Sequence, residues 1–368
     1  MTDRFLIIGQ GILGACVAYE LSQRQPNADI TVIAAHPLNS GATATGASWG
    51  WVNAHTDNDQ YYFDFRNASR MLWHDLLADH PDLAAQILPS LVYDLDPEAL
   101  DAAFLHHRNW GYPVNLLSHN EIQQVTPIFR NAPPKALLTQ GELGVEQHIV
   151  AEQLLAKSNA TCRTAYVHSV ILKDGTVTGA MTDQGAIYAD KVILAAGHGI
   201  PPLLRRLGIH FQLAKSTGLL VRSTPMAPFL DHMIMGHEFH IRQGADGSVL
   251  IGGAFDADHG DADLNQAVEN LCNLVRLNFD LPSDLEVHKY SLGTRVLPMD
   301  GHPKIGFVAP YDTLYALAMH GGVTNAPMAA KTCVDDLLGE PRDTRSLNYD
   351  FASSPLSFDP INKDSSDV

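Results

Sequence analysis

The sequence predicts an α/β chain, a Rossmann-type, mostly parallel sheet with an inserted β-rich domain. Three observations predict it. An apolar strand, Arg4-Phe5-Leu6-Ile7-Ile8, runs straight into Gly9-Gln10-Gly11-Ile12-Leu13-Gly14, then a helical pattern through Leu21, then a second strand from Asp29 to Ile33. Between Ala165 and Ala195 the apolar period changes to two, and the chain then enters the buried-strand run Val192-Ile193-Leu194-Ala195-Ala196-Gly197. From about Leu213 to Ser291 the sequence is again β-rich.

The first of these elements is the most specific. In a strand–glycine turn–helix junction the first glycine permits the turn, the second admits a phosphate against bare backbone, and the third lets helix and strand pack closely. The N–H groups that open the helix, around Ile12 and Leu13, then face an anion, and a pyrophosphate is the expected ligand. Two other readings compete. Phe5 to Leu21 has the length of a signal peptide, but one Arg precedes it, three glycines sit inside it and Gln10 interrupts it. A glycine turn serving structure alone is the second.

With 368 residues the chain has room for two to three domains, and 45% apolar, 8% aromatic and 18% charged residues describe a globular protein. A formal charge of −17 argues against a nucleic-acid or anionic-membrane surface. Cys16, Cys162, Cys272 and Cys333 are far apart with no metal-ligand spacing, which fits a reducing compartment, and no apolar run is long enough to span a membrane. A cytoplasmic protein is expected.

The remaining elements follow in order. Asn39 to Gly50 is a run of small residues that lets backbone lie against a flat ligand. Asp59 to about Leu77 is helical; Ser118-His119-Asn120-Glu121 is a capping box before a short helix, and His148 to Lys157 is an amphipathic helix. Turns at Asp174-Gly175 and Gln184-Gly185 divide the meander, and a hairpin turns at Asp246-Gly247 between Phe239–Arg242 and Val249–Gly252. Leu264, Val268, Leu271 and Val275 repeat at helical spacing. A strand at Leu314–Leu317 and a helix from about Thr324 to Leu338 close the fold, and the last twenty-odd residues, ending Asn362 to Val368, are expected as a solvated tail. No internal repeat is visible.

Five pieces in one order resemble the FAD-dependent amine and amino-acid oxidase family that includes D-amino-acid oxidase, glycine oxidase and monomeric sarcosine oxidase. They are the Gly9/Gly11/Gly14 turn, Ala44-Thr45-Gly46-Ala47-Ser48, the meander ending at Ala196-Gly197, Gly293-x-Arg295 with Asp300-Gly301-x-Pro303-x-Ile305-Gly306, and Met319-His320-Gly321-Gly322-Val323-Thr324-Asn325-Ala326-Pro327. The resemblance spans about residues 4 to 340. It implies a discontinuous FAD-binding domain over 1–85, 141–215 and 292–345, a substrate domain over 86–140 and 216–291, and a C-terminal tail over 346–368. It also implies that Gly9, Gly11 and Gly14 hold the pyrophosphate and that Thr45, Gly46, Ser48, Trp49 and Gly50 lie along the isoalloxazine. Val170 would face the adenine side, Ala196 and Gly197 would meet the cofactor where the strand ends, and Gly321, Gly322, Val323 and Thr324 would close over the pyrimidine edge. One departure stands out. Where the family usually carries a ribose-binding Glu, the second strand ends in Ala34, Ala35 and His36, so the adenosine is expected to be held more weakly or through another group such as His36 or Ser40.

The implied activity is oxidation of the C–N bond of a small amine or amino acid, with a hydride passing to flavin N5. A substrate carboxylate needs a fixed cation, and a guanidinium offers a bidentate grip. Arg295 is the candidate, although the usual Pro after it is Val296; an ion pair with Asp300 or another acid is the alternative. The start of the last helix would aim N–H groups and its dipole at the reduced flavin, with Thr324 or Asn325 near the cap and His320 adding a proton or a hydrogen bond, unless that ring is merely packed. His240 and Arg242, two apart in a strand, share a face that would roof the substrate pocket. His237 and His240 point to opposite faces of that strand with no third ligand, so no metal is expected. Trp49 and Trp51 either flank the flavin or fill core. The rival readings are a non-catalytic, weakly flavin-binding member of the same fold, motivated by Ala34, and a nicotinamide dehydrogenase, disfavoured because no second nucleotide half follows.

Overall fold

The computed structural model describes residues 3–40, 43–55, 59–214, 216–255, 261–354 and 356–358. The chain divides into two compact units, one of Met1–Asn39, Ala151–Ser216 and Arg295–Val368, the other of Ser40–Val150 and Thr217–Thr294.

The first unit is built on a six-stranded sheet in the order Lys304–Val308, Tyr311–Ala318, Lys191–Leu194, Arg4–Ile8, Asp29–Ala34, Thr161–Thr164. All pairings are parallel except the edge pair Lys304–Val308 with Tyr311–Ala318. From the Arg4–Ile8 strand the chain winds outward through helix Ile12–Arg24 to Asp29–Ala34, with Thr161–Thr164 beyond it, whereas Lys191–Leu194, Tyr311–Ala318 and Lys304–Val308 lie on the other side. The sheet therefore reverses its winding between Arg4–Ile8 and Lys191–Leu194, the place where open α/β sheets bind ligands beyond the strands' carboxyl ends. The near-continuous apolar runs are explained by burial on both faces: Leu6, Ile7, Val192, Ile193, Leu194 and Leu314 are all fully buried. The expected meander is a separate antiparallel sheet of Val167–Lys173, Thr176–Thr182 and Gly185–Tyr188. Its Val170, Val177 and Ala180 join Leu6, Ile8 and Ile33 in one core.

The second unit is a nine-stranded sheet running Val287–Thr294, Thr217–Pro225, Ser248–Ala254, His240–Gln243, Met233–Gly236, Ala85–Tyr93, Lys135–Val145, Trp51–Val52, with Val114–Ser118 also paired to Lys135–Val145. Met233–Gly236 and Ala85–Tyr93 run parallel in an otherwise antiparallel sheet. Helix Asp261–Asn278 packs on Ser248–Ala254 and buries Val268, Leu271, Cys272 and Val275, as its spacing predicts. Helix Gln60–Asp79 opens on Asp59, whose carboxylate accepts from Tyr62 N–H at 2.9 Å. The Ser118/Glu121 capping box forms, and the hairpin turns where Gly247 takes φ +80°.

Two expected boundaries differ. Residues 40–85 and 141–150 belong with the second unit, because Trp51–Val52, Ala85–Tyr93 and Lys135–Val145 pair into its sheet. The expected tail also packs in part. Phe351 is fully buried against Phe211 with ring centroids 4.9 Å apart, Tyr349 is buried, and Ser357–Phe358 pairs with Ile209–His210. Two aromatic anchors outweigh the polar sequence around them; the stretch from Asn362 to Val368 lies outside the described residues.

Candidate active site

In the first unit the sequence-predicted residues converge on the carboxyl ends of the parallel strands. Gly9 takes φ +114°, and a Cβ there would collide with the carbonyl of Ala195 at the end of the neighbouring strand. A Cβ on Gly14 would collide with Gly9 O, so both glycines are dictated by backbone crowding as well as by any ligand. Helix Ile12–Arg24 starts at Gly11 with no side-chain cap and no acidic residue in its first turn. Its positive end is thus left to an anion. Across the reversal point Ala196 leads into Gly197, which takes φ +57°, and a Cβ on Gly197 would press on Val296. The last helix, Gly322–Leu338, packs along the first, and a Cβ on Gly322 would sit 3.8 Å from Leu13. Leu13 therefore contributes its side chain to helix packing, while its peptide remains in the glycine turn.

The last helix begins two residues earlier than the sequence suggests. Its N-cap is Gly321 in the left-handed conformation, φ 64°, and Thr324 and Asn325 lie inside the first turn with buried side chains. Pro327 lies inside the helix, past its first turn, and gives up the hydrogen bond that an N–H there would make to the Val323 carbonyl. His320, just before the cap, is exposed, and its carbonyl accepts from Asn325 Nδ2 at 3.2 Å. At the end of the second strand Ala34 pairs with Thr164, and its carbonyl accepts from Ala165 N–H at 3.1 Å. Gln10 Nε2 donates to His36 O at 2.7 Å, tying the glycine turn to the segment after Ala35. Val170 is buried in the core of this unit.

Arg295 is half-buried. Its backbone N–H donates to Ser216 O at 2.8 Å, its Nη1 donates to Ser216 Oγ at 3.0 Å, and its carbonyl contacts His198 Nε2 at 3.0 Å. Burial lowers its pKa from the ordinary value, and no carboxylate among the described residues offsets that. The alternative partner is already engaged, since Asp300 lies 2.6 Å from Lys304 Nζ.

In the second unit the Thr45–Gly50 segment is pinned from behind. Gln147 Nε2 donates to the carbonyls of Thr45 at 2.7 Å and Ser48 at 2.8 Å. Gly46 and Gly50 are both required, because a Cβ would strike Ser40 O and Val145 O respectively. Gly293 admits the loop to the sheet: a Cβ there would lie 2.8 Å from Ala47 Cβ. Trp49 fills core with Leu220, Met233 and Leu250, and its ring lies 4.7 Å from His240 and 5.6 Å from Trp51. Trp51 is half-buried and donates to the buried Glu142 at 2.5 Å. His240 rests over Gly252, its cross-strand partner, and Arg242 points the same way but is fully buried. His237 lies in the turn before the His240 strand. Among the described residues no group of three His, Cys, Asp or Glu is placed to hold a metal ion, and no described helix is long and apolar enough to cross a membrane.

In the first unit, glycines that only backbone can pass and two helix starts without side-chain caps fit a dinucleotide cofactor. The chain matches the family described as FAD dependent oxidoreductase over residues 4–335. It belongs to that family, and its cofactor is FAD. A glycine oxidase of Pseudomonas aeruginosa is 26% identical over 357 residues, covering 92% of this chain and 96% of the relative. Among solved structures, iminodiacetate oxidase from Chelativorans sp. BNC1 superposes with a TM-score of 0.80 at 22% identity, covering 94% of this chain and 98% of that one. Glycine oxidase from Geobacillus kaustophilus gives 0.80 at 19%, covering 95% and 99%. The two structures share this fold.

Gln147, Ser216 and His198 were not legible in the sequence as partners of the candidate residues. Each acts on a partner remote in sequence, Gln147 on Thr45 across 102 positions and His198 on Arg295 across 97.

Proposed function

We propose that the protein oxidises the C–N bond of a small amine or amino acid, and that Arg295 receives the substrate's carboxylate. The observation that carries this is a half-buried guanidinium whose side chain is met by the Ser216 hydroxyl and, among the described residues, by no acid. A partly desolvated cation without a counter-ion is costly unless an anion arrives, and a planar fork suits a carboxylate. Bound FAD supplies the two-electron acceptor for the hydride on the carbon that bears nitrogen. Gly9, Gly11, Ile12, Leu13 and Gly14 would hold its pyrophosphate by backbone, with Ala34, Ala35, Val170, Ala196 and Gly197 around the adenosine half. Thr45, Gly46, Ser48, Trp49 and Gly50 would lie along the ring, and Gly321, Gly322, Val323 and Thr324 would present the last helix's positive end to its pyrimidine edge. In the unit that carries Arg295, His320 would border the substrate. The glycine oxidase relative agrees with an amino-acid substrate. Four free cysteines and a charge of −17 support a reducing, cytoplasmic setting and no nucleic-acid partner.

Purified protein should be yellow and should bleach anaerobically on addition of a small amino acid. Colourless protein that takes up no added FAD would overturn the reading.

A further inference from the structure

Arg242 is 1% exposed, the most completely buried cation of the second unit. Its Nε donates to the carbonyl of Trp49 at 2.8 Å and its Nη2 to the carbonyl of Val145 at 3.0 Å, while Nη2 also lies 2.8 Å from Glu146 Oε1. Glu146 is held in turn by Arg222, which reaches Ser248 Oγ at 2.7 Å. Val145 N–H donates to Gly50 O at 2.7 Å, so the two carbonyls that Arg242 grips flank the Gly50 turn. That turn has no slack, since Gly50 sits at φ +77° with its Cα against Val145 O and Gln147 Oε1.

A buried ion pair is a poor way to gain stability, because burying two charges costs about as much as their attraction returns, and apolar residues of the same volume often serve as well or better. What an apolar residue cannot do is hold two carbonyl oxygens in a fixed relation. Lysine keeps the charge but loses the planar fork.

We propose that Arg242, backed by Glu146, is a positioning residue for the flavin: by gripping the Trp49 and Val145 carbonyls it fixes the Thr45–Gly50 backbone at the height at which that backbone meets the isoalloxazine. The inference rests on the reading that this loop lies along the ring. Arg242 acts through the loop and touches neither cofactor nor substrate.

Three variants test it: Arg242→Lys, the double variant Arg242→Met with Glu146→Gln, which removes both members of the pair and leaves Arg222 with Asp246, and Glu146→Gln alone, which leaves both carbonyl bonds in place. Apoprotein melting temperature, the dissociation constant for FAD, and the visible spectrum and reduction potential of the bound flavin are measured for each. Both Arg242 variants should bind FAD about tenfold more weakly, the worth of one charge-assisted hydrogen bond, with altered flavin bands and a shifted potential. Glu146→Gln should melt lower yet keep affinity and spectrum close to those of the parent. Should the double variant fail to fold, Arg242→Lys, which retains the ion pair, decides the matter. Arg242 variants that melt lower but carry a flavin of unchanged affinity, spectrum and potential would show a purely structural role and overturn the proposal. So would Glu146→Gln changing the flavin as much as they do. Parent protein that takes up no FAD would overturn the flavin-site reading and the proposal together, whereas parent and variants binding alike would overturn the proposal alone.

Discussion

Replacing Arg295 by Met separates the role in substrate binding proposed for it from any role in folding. Its side chain loses one hydrogen bond, to Ser216 Oγ at 3.0 Å, and strands no carboxylate. The hydroxyl lost as a partner costs about 1 kcal/mol, and relief of the guanidinium's desolvation offsets part of it, so the melting temperature should move by only a few degrees. A substrate carboxylate that relies on this cation loses far more. Removing one member of a desolvated, hydrogen-bonded charge pair costs about 2–5 kcal/mol, so kcat/KM for an amino acid should fall by roughly thirty-fold to several thousand-fold. Arg295→Lys should fall between, retaining charge and losing the fork. The assay compares each amino acid with its own carboxamide, anaerobically, by the rate of flavin bleaching. The carboxamide should be slow with the parent enzyme and nearly indifferent to the substitution. Equal losses for acid and amide, or no loss for either, would refute carboxylate recognition by Arg295.

Ala34→Glu should raise FAD affinity by one to two decades, matching the about 1.5–3 kcal/mol of a charge-assisted hydrogen bond to the ribose; an unchanged dissociation constant, measured by fluorescence titration of the apoprotein, would mean that another group, such as His36 or Ser40, already serves. His107 gives a pH signature of folding. Burial first, and the neighbouring His55 second, lower its pKa to about 4 from 6.5, while Glu142 opposes them. The unfolded chain therefore binds the proton more readily, so stability is fully present above pH 6.5 and is lost as the pH falls toward 4, by on the order of 3 kcal/mol. Urea midpoints at several pH values should show this slope in the parent and a flatter one in His107→Phe; identical slopes would assign the acid lability elsewhere.

The features legible in the sequence are those decided within one turn or one strand. The Asp59 cap, the Ser118/Glu121 box and the Asp246-Gly247 turn each complete hydrogen bonds within a few residues, so residue type alone gives them away, and the Gly9 turn is given away by glycines whose Cβ atoms would strike backbone. The last helix misled by two residues because its cap is a glycine in the left-handed conformation, and Thr324 looked like the better cap while its side chain is in fact buried. The domain boundary failed for another reason. Ala85–Tyr93 and Lys135–Val145 pair with one another and with Met233–Gly236, and nothing local says which sheet a strand will join.

The candidate site shows the same division more sharply. Arg295 stood out as a candidate because the Gly293-x-Arg295 run resembles the family's pattern, and Gly293 is itself forced by Ala47 packing against the strand. Arg242 was readable only as a residue sharing a face with His240, since its purpose depends on Trp49, 193 positions away. A charged residue in a strand is ordinarily solvated, so sequence alone favours an exposed roof. Burial reverses that inference: a desolvated guanidinium must have all its donors met, and the groups that meet them are the carbonyls flanking Gly50. The residues proposed to touch ligand are thus written in short patterns, because backbone approach demands glycine and anion binding demands a cation. The residues that hold those patterns in place are drawn from wherever the fold brings a donor, and they become visible only through the hydrogen bonds they complete.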